Sequence, residues 1–146
     1  MHVMPFAYLP INRKLATVMS CTQQIVRTHP QTRLRDVEDP PSPTDGLRIL
    51  VDRIWPRGLT QAAMHLDAWL RDLAPSLALT RWYGHDPEKW CLYEQGYRQE
   101  LAAQPEALAF LLDAAQFGPV TLVYATRNAQ FNDAAVLKEL IDERLW

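Results

Sequence analysis

The chain has 146 residues, 48% of them hydrophobic and 22% charged, a composition typical of a soluble globular protein with one domain. The formal net charge of -2 and the pI near 6.1 argue against a protein that coats nucleic acid electrostatically. No apolar run is long enough to span a membrane. The two cysteines, Cys21 and Cys91, have no metal-ligand spacing around them, so we expect reduced thiols in a cytoplasmic protein and no metal site.

The first part of the chain, residues 1–30, has no regular hydrophobic period and contains three prolines. We therefore expect a poorly ordered N-terminal extension that is dispensable for stability. The folded domain is expected over residues 31–146. Met19 is an alternative start of the chain.

Two apolar runs predict core strands. Ile49-Leu50-Val51 and Val120–Ala125 have the composition of strands that are buried on both faces, and we expect them to be neighbours. Thr32–Val37 alternates weakly between polar and apolar residues and is expected to be a short edge strand. Residues 39–46, with three prolines and a glycine, are predicted to form a loop.

Helical signals fill the segment between the two core strands. Thr60 is a suitable N-cap for a helix whose apolar positions recur as far as Leu73, and Trp69 is expected to pack in the core beside them. Ser76 is expected to cap a second, short helix that Gly84 ends.

Three more helix starts follow, at Asp86-Pro87-Glu88, at Pro105 and at Asn132. The order of strand, helices, strand and helix predicts an α/β fold. We expect a single domain with a small, mostly parallel sheet of three or four strands flanked by helices, because the long crossover allows a right-handed parallel connection.

The first core strand leads directly into charged and aromatic residues: Asp52, Arg53, Trp55 and Arg57, on a turn stiffened by Pro56. Charges at the end of a buried strand need partners. Ligands of open α/β sheets bind beyond the carboxyl ends of the strands, which makes this turn a candidate anion site. The alternative is that Asp52 and other acids neutralise the arginines in structural salt bridges.

The second core strand leads into Arg127 and Asn128, and Asn132 then begins a helix whose N–H groups suit a phosphate or carboxylate. Since the ends of parallel neighbours meet at one edge, these residues should converge with the first turn. Trp55 is either a stacking platform or a core residue. The predicted ligand-binding residues are Arg53, Trp55, Arg57, Arg127, Asn128 and Asn132.

The octapeptide Val51-Asp52-Arg53-Ile54-Trp55-Pro56-Arg57-Gly58 resembles the signature of the DUF488 family, the YeaO-like bacterial proteins of unknown function. Residues 66–70, 82–87 and 121–125 are similar to later blocks of that family, and the resemblance covers roughly residues 33–145. It implies no settled activity. Many members resemble Arg-Asp-x-x-His-Asn where this chain has Arg127–Asn132, so a general base in that loop is not implied here.

Proton-transfer chemistry has two weak candidates, Asp52 and His85. His85 stands next to Asp86, and histidine titrates near neutral pH. The favoured alternative is that Asp86 only caps its helix and His85 fills a turn. Whether the protein is an enzyme stays open, and no motif assigns a cofactor.

The sequence therefore favours a cytoplasmic protein that binds, or acts on, an anionic or phosphorylated small molecule. A second hypothesis is a nucleic-acid-associated regulatory module in which Arg57 and Trp55 contact phosphate and base. A non-catalytic interaction domain is a third. The acidic pI and the acids of the last helix count against nucleic acid as the partner.

Overall fold

The computed structural model describes residues 32–125 and 132–145. Four strands in these ranges form one wholly parallel sheet, with the order β1-β4-β2-β3. The predicted α/β fold is confirmed, and the two apolar runs are neighbours, with β1 at the edge. The strands are β1 (Thr32–Asp36), β2 (Leu47–Leu50), β3 (Ala68–Trp69) and β4 (Val120–Tyr124).

Five α-helices occur in the described part of the chain. The one-turn helix α1 lies between β2 and β3, α2 to α4 form the crossover from β3 to β4, and α5 follows β4. Two short 3-10 helices, Arg71–Leu73 and Pro87–Lys89, precede α2 and α3. The α-helices are α1 (Gln61–Met64), α2 (Leu77–Tyr83), α3 (Trp90–Ala102), α4 (Pro105–Phe117) and α5 (Asp133–Leu145).

The predicted helix caps are confirmed. The Ser76 hydroxyl accepts the Leu79 N–H at 3.1 Å, and α2 ends at Gly84, whose φ of 56° suits glycine. The Asn132 side-chain oxygen accepts the Ala135 N–H at 3.0 Å at the start of α5.

The prediction of one helix from Thr60 to Leu73 is wrong. Thr60 does cap α1, but the helix ends after one turn at His65, which adopts a left-handed φ of 52°. The chain then turns into β3, whose Ala68 and Trp69 pair with β2. Trp69 is 37% exposed, so it is not a core residue. Pairing with the end of β2 overrides a helical period that is too short to form a stable helix by itself.

The main core lies between the sheet and helices α3, α4 and α5. Ile49, Leu122 and Tyr124 point to this face, where apolar residues of the three helices meet them. Leu50 and Val123 point to the opposite face, against α1 and Trp55. Glycine at position 46 lets β2 lie beside β4, since its φ is +64° and a Cβ there would collide with the Pro119 carbonyl.

Candidate functional site

A cleft of about 450 Å³ opens at the carboxyl edge of the sheet. After β2 the chain runs outward to β3, whereas after β4 it leads to α5, which packs on β1 and β4. The connections therefore leave in opposite directions, and parallel α/β sheets hold their ligands at such a switch point. Residues from both strand ends and from α2, α3 and α5 line the cleft, among them Asp52, Arg53, Arg57, Tyr83, Tyr93 and Asp133.

Arg53 and Arg57 form one side of the cleft, here called the basic wall. The Arg53 guanidinium donates from Nε to the Pro75 carbonyl at 3.1 Å and from Nη2 to the Ala74 carbonyl at 3.2 Å. Backbone carbonyls fix this group but leave its positive charge without a carboxylate among the described residues. Arg57 is exposed on the same cleft. Among the described residues, Arg53 therefore forms no salt bridge with Asp52 or with another acid.

Asp52 turns away from the basic wall and toward β4. Its Oδ2 accepts the Ala125 N–H at 2.8 Å, which ties the end of β2 to the end of β4. Burial raises the pKa of this carboxyl to about 6, and the negative charge of Asp36 adds to the shift, while the Ala125 N–H opposes it. Asp52 is thus a carboxyl group that changes charge near neutral pH.

Asp133, the first residue of α5, supplies a second carboxyl to the cleft. Burial raises its pKa to about 7, and the charge of Asp52 raises it further, whereas N–H groups of Ala134 and Asp133 itself act in the opposite direction. Within the described part of the chain, neither Asp52 nor Asp133 pairs with a lysine or arginine. The two acids therefore hold fewer than two negative charges at neutral pH.

Tyr83 and Tyr93 complete this part of the cleft. Their rings stack with centroids 4.3 Å apart, and both residues are almost fully buried. Burial raises the pKa of both phenols, and for Tyr93 the charge of Asp133 adds to the effect, so both stay neutral. Asp52, Asp133, Tyr83 and Tyr93 are called the acidic floor below.

Two tryptophans shape the turn between Asp52 and Leu59. The Trp69 indole N–H donates to the Asp52 carbonyl at 2.7 Å, and the Trp55 N–H donates to the Leu59 carbonyl at 2.6 Å. The two indoles meet edge to face at 5.1 Å. Trp55 is half-buried and lines the cleft, so it serves both as packing and as part of the cleft surface.

Five predicted residues line the cleft: Asp52, Arg53, Trp55, Arg57 and Asn132. Arg127 and Asn128 lie outside the described residues. His85 also lines the cleft, but its ring contact is with Tyr83 at 5.9 Å, and it adopts a φ of 59° in a turn. Asp86 accepts the Glu88 N–H, as expected of a helix cap.

Sequence reasoning missed Asp133, Tyr83 and Tyr93 as residues of the cleft. An acid directly after the N-cap of the helix that follows a core strand was the available signal for Asp133, since such a position faces the carboxyl edge. No local signal marks Tyr83 and Tyr93, because the packing of α2 on α3 brings them to the cleft.

Comparison with known proteins gives the family. Residues 31–146 match the family described as "Inactive DUF488-N3 subclade". The chain belongs to the DUF488 family. An uncharacterised protein of Mycobacterium bovis is 39% identical over 114 residues, which cover 78% of this chain and 96% of the relative. The uncharacterised YeaO protein of Escherichia coli is 36% identical over 103 residues, covering 70% and 90%. No solved structure matches the chain.

The cleft of this DUF488 protein combines two cationic groups, two titratable carboxyls and aromatic surface. Such a cleft suits recognition of a polar small molecule. In residues 32–125 and 132–145, no group of three metal-ligating side chains comes together. No helix in that part of the chain has the length and apolar character of a membrane span.

Proposed function

We propose that the protein binds an anionic small molecule, such as a phosphate ester, in the cleft and does not transform it. The observation that carries the proposal is the fixed position of Arg53. Two backbone carbonyls hold its guanidinium on the wall of the cleft through Nε and Nη2, and Nη1 has no partner among the described residues. A preorganised cation loses little entropy when an anion binds.

Arg57 adds a second positive charge. It lines the same cleft and forms no ion pair with any described residue. The apolar surface of Ile54, Pro56 and Leu77 beside it suits an organic body attached to the anionic group. The description of the matched subclade as inactive supports binding rather than turnover.

The test is the melting temperature in phosphate against chloride of equal ionic strength. At phosphate tenfold above its dissociation constant we expect a rise of about 5 °C for the wild type. Arg57→Ala should lose most of this rise, because Arg57 lies on the cleft. Arg144→Ala is the matched control, since it removes the same charge at the far end of α5.

General exclusion of phosphate from protein surfaces stabilises all three proteins alike. The proposal fails if the wild type and both variants gain the same increment. A steep loss of affinity for random DNA with added salt would instead support the nucleic-acid hypothesis.

A further inference from the structure

The four residues of the acidic floor all line the cleft. Tyr83 and Tyr93 are 6% and 4% exposed and line the cleft, yet neither hydroxyl has a hydrogen-bond partner among the described residues. Neither hydroxyl is among the buried atoms without a partner, so both are accessible from the cleft. Asp52 and Asp133 likewise have no cationic partner within residues 32–125 and 132–145. These groups are accessible to a ligand that enters the cleft.

All four groups are able to accept hydrogen bonds. Carboxylates only accept them, neutral phenol hydroxyls accept as well as donate, and the faces of the Tyr83 and Tyr93 rings carry negative π-electron density. A second anion placed against Asp52 and Asp133 would meet repulsion. A compact cation with several N–H donors would instead be attracted to all four groups.

The acidic floor and the basic wall point in different directions. Asp52 reaches toward Ala125, at the end of β4, whereas its neighbour Arg53 reaches toward Ala74 and Pro75. Successive residues of one chain thus present opposite charges to two sides of the same cleft. A ligand that spans the cleft would contact both the acidic floor and the basic wall.

We propose that the acidic floor binds a primary ammonium or similar organic cation, which makes the ligand of this cleft a zwitterion with an anionic group at the opposite end. The inference deepens the proposed function and rests on it for the anionic end. The hydroxyls of Tyr83 and Tyr93 and the two carboxyls accept the N–H groups of the cation.

The experiment measures the affinity of a series of ω-aminoalkyl phosphates of increasing chain length by calorimetry. Each has a matched alkyl phosphate without the amine and a matched alkylamine without the phosphate. At the chain length that fits the cleft, the aminoalkyl phosphate should bind at least about tenfold more tightly than the alkyl phosphate, as expected for a charge-assisted hydrogen bond.

Asp133→Asn should reduce this preference to near unity while the alkyl phosphate binds as well as before or better. Asp113→Asn, which removes the same charge on the exposed side of α4, should keep the preference. Tyr93→Phe retains the ring and should reduce the preference by a smaller factor. It also keeps the test decisive if Asp133→Asn does not fold, because a preference unchanged in Tyr93→Phe would count against the floor.

The outcomes separate the two proposals. If alkyl phosphates bind and the amine adds nothing at any chain length, the cation site is overturned and the anion site stands. If alkylamines bind and phosphate adds nothing, the proposed function is overturned and the acidic floor stands. If no probe binds, both are overturned.

Discussion

Two acids, Asp45, which is buried, and Asp133, which is partly buried, lie at opposite ends of the sheet and have opposite electrostatic surroundings. Asp45 precedes β2 and is 2% exposed, and its Oδ2 accepts the Arg48 Nη1–H at 2.7 Å and the Ser42 N–H at 2.9 Å. Burial alone would raise the pKa of Asp45, but these hydrogen bonds and the charges of Arg48 and Arg35 outweigh it and lower the pKa.

Asp133, at the carboxyl edge, shows the reverse. Burial raises its pKa and no described cation offsets the effect, while Asp52 adds a like charge. The comparison separates two electrostatic settings of an acid in one domain. Asp45 is paired with Arg48 inside the fold, whereas neither carboxyl of the acidic floor has a cationic partner among the described residues.

Removal of Arg48 should have a large effect on stability. Arg48 is 3% exposed and also donates to the Met64 carbonyl, so Arg48→Ala removes a hydrogen-bond donor from both Asp45 and that carbonyl. We expect a loss of about 3–5 kcal/mol in the free energy of unfolding, measured by urea denaturation. Arg35→Ala is the control, because Arg35 is partly exposed and lies 3.8 Å from Asp45, and it should cost about 1 kcal/mol or less. Equal losses would show that the Asp45–Arg48 pair is not the dominant contact.

Two tryptophans should differ in their contribution to stability, because one lies in the main core and the other lies beside the cleft. Trp90 is 5% exposed in the main core, and Trp90→Ala should cost about 3–5 kcal/mol. Trp69→Ala should cost only about 1–2 kcal/mol, since it removes the hydrogen bond to the Asp52 carbonyl and the contact with Trp55 from a partly exposed position. Thermal and urea denaturation of both variants measure the difference. A loss for Trp69→Ala as large as that for Trp90→Ala would restore the sequence-based expectation of a core residue.

The same pair shows how far the sequence predicts this structure. Trp90 begins a helix with a regular apolar stripe over thirteen residues, so its local pattern and its tertiary position agree. Trp69 lies in a two-residue strand that exists only because β2 pairs with it, and no local period encodes that pairing.

The basic wall was predictable from the sequence, as the position of Trp90 was. Arg53 and Arg57 directly follow a buried strand, and adjacency in the chain locates them. The acidic floor combines the end of β2, the start of α5 and two tyrosines from α2 and α3. Its assembly depends on long-range packing that a single sequence does not reveal.

The pH dependence of stability tests the comparison of the two acids directly. The pKa of Asp133 is about 7 in the folded protein, against an ordinary value of 3.8. The folded state therefore binds the proton more tightly than the unfolded state, and stability must fall as the pH rises through the interval between these values. Asp133→Asn removes this dependence, so the variant should gain stability relative to the wild type between about pH 5 and pH 8, on the order of 1–3 kcal/mol.

Melting curves of the wild type and Asp133→Asn across that range measure the gain. The pKa of Asp52 is about 6 in the folded protein, so its ionisation also lowers the stability of the protein as the pH rises, but over a lower pH range than that of Asp133. The stability of Asp133→Asn should therefore still depend on pH below about pH 7. Asp113→Asn, at an exposed position, should follow the wild type at every pH. Asp45 has the opposite sign, because its lowered pKa contributes stability above the unfolded value that is lost only on acidification. If the wild-type and Asp133→Asn curves run parallel, the carboxyl at the start of α5 is solvated like an ordinary surface acid, and the electrostatic contrast between the two ends of the sheet disappears.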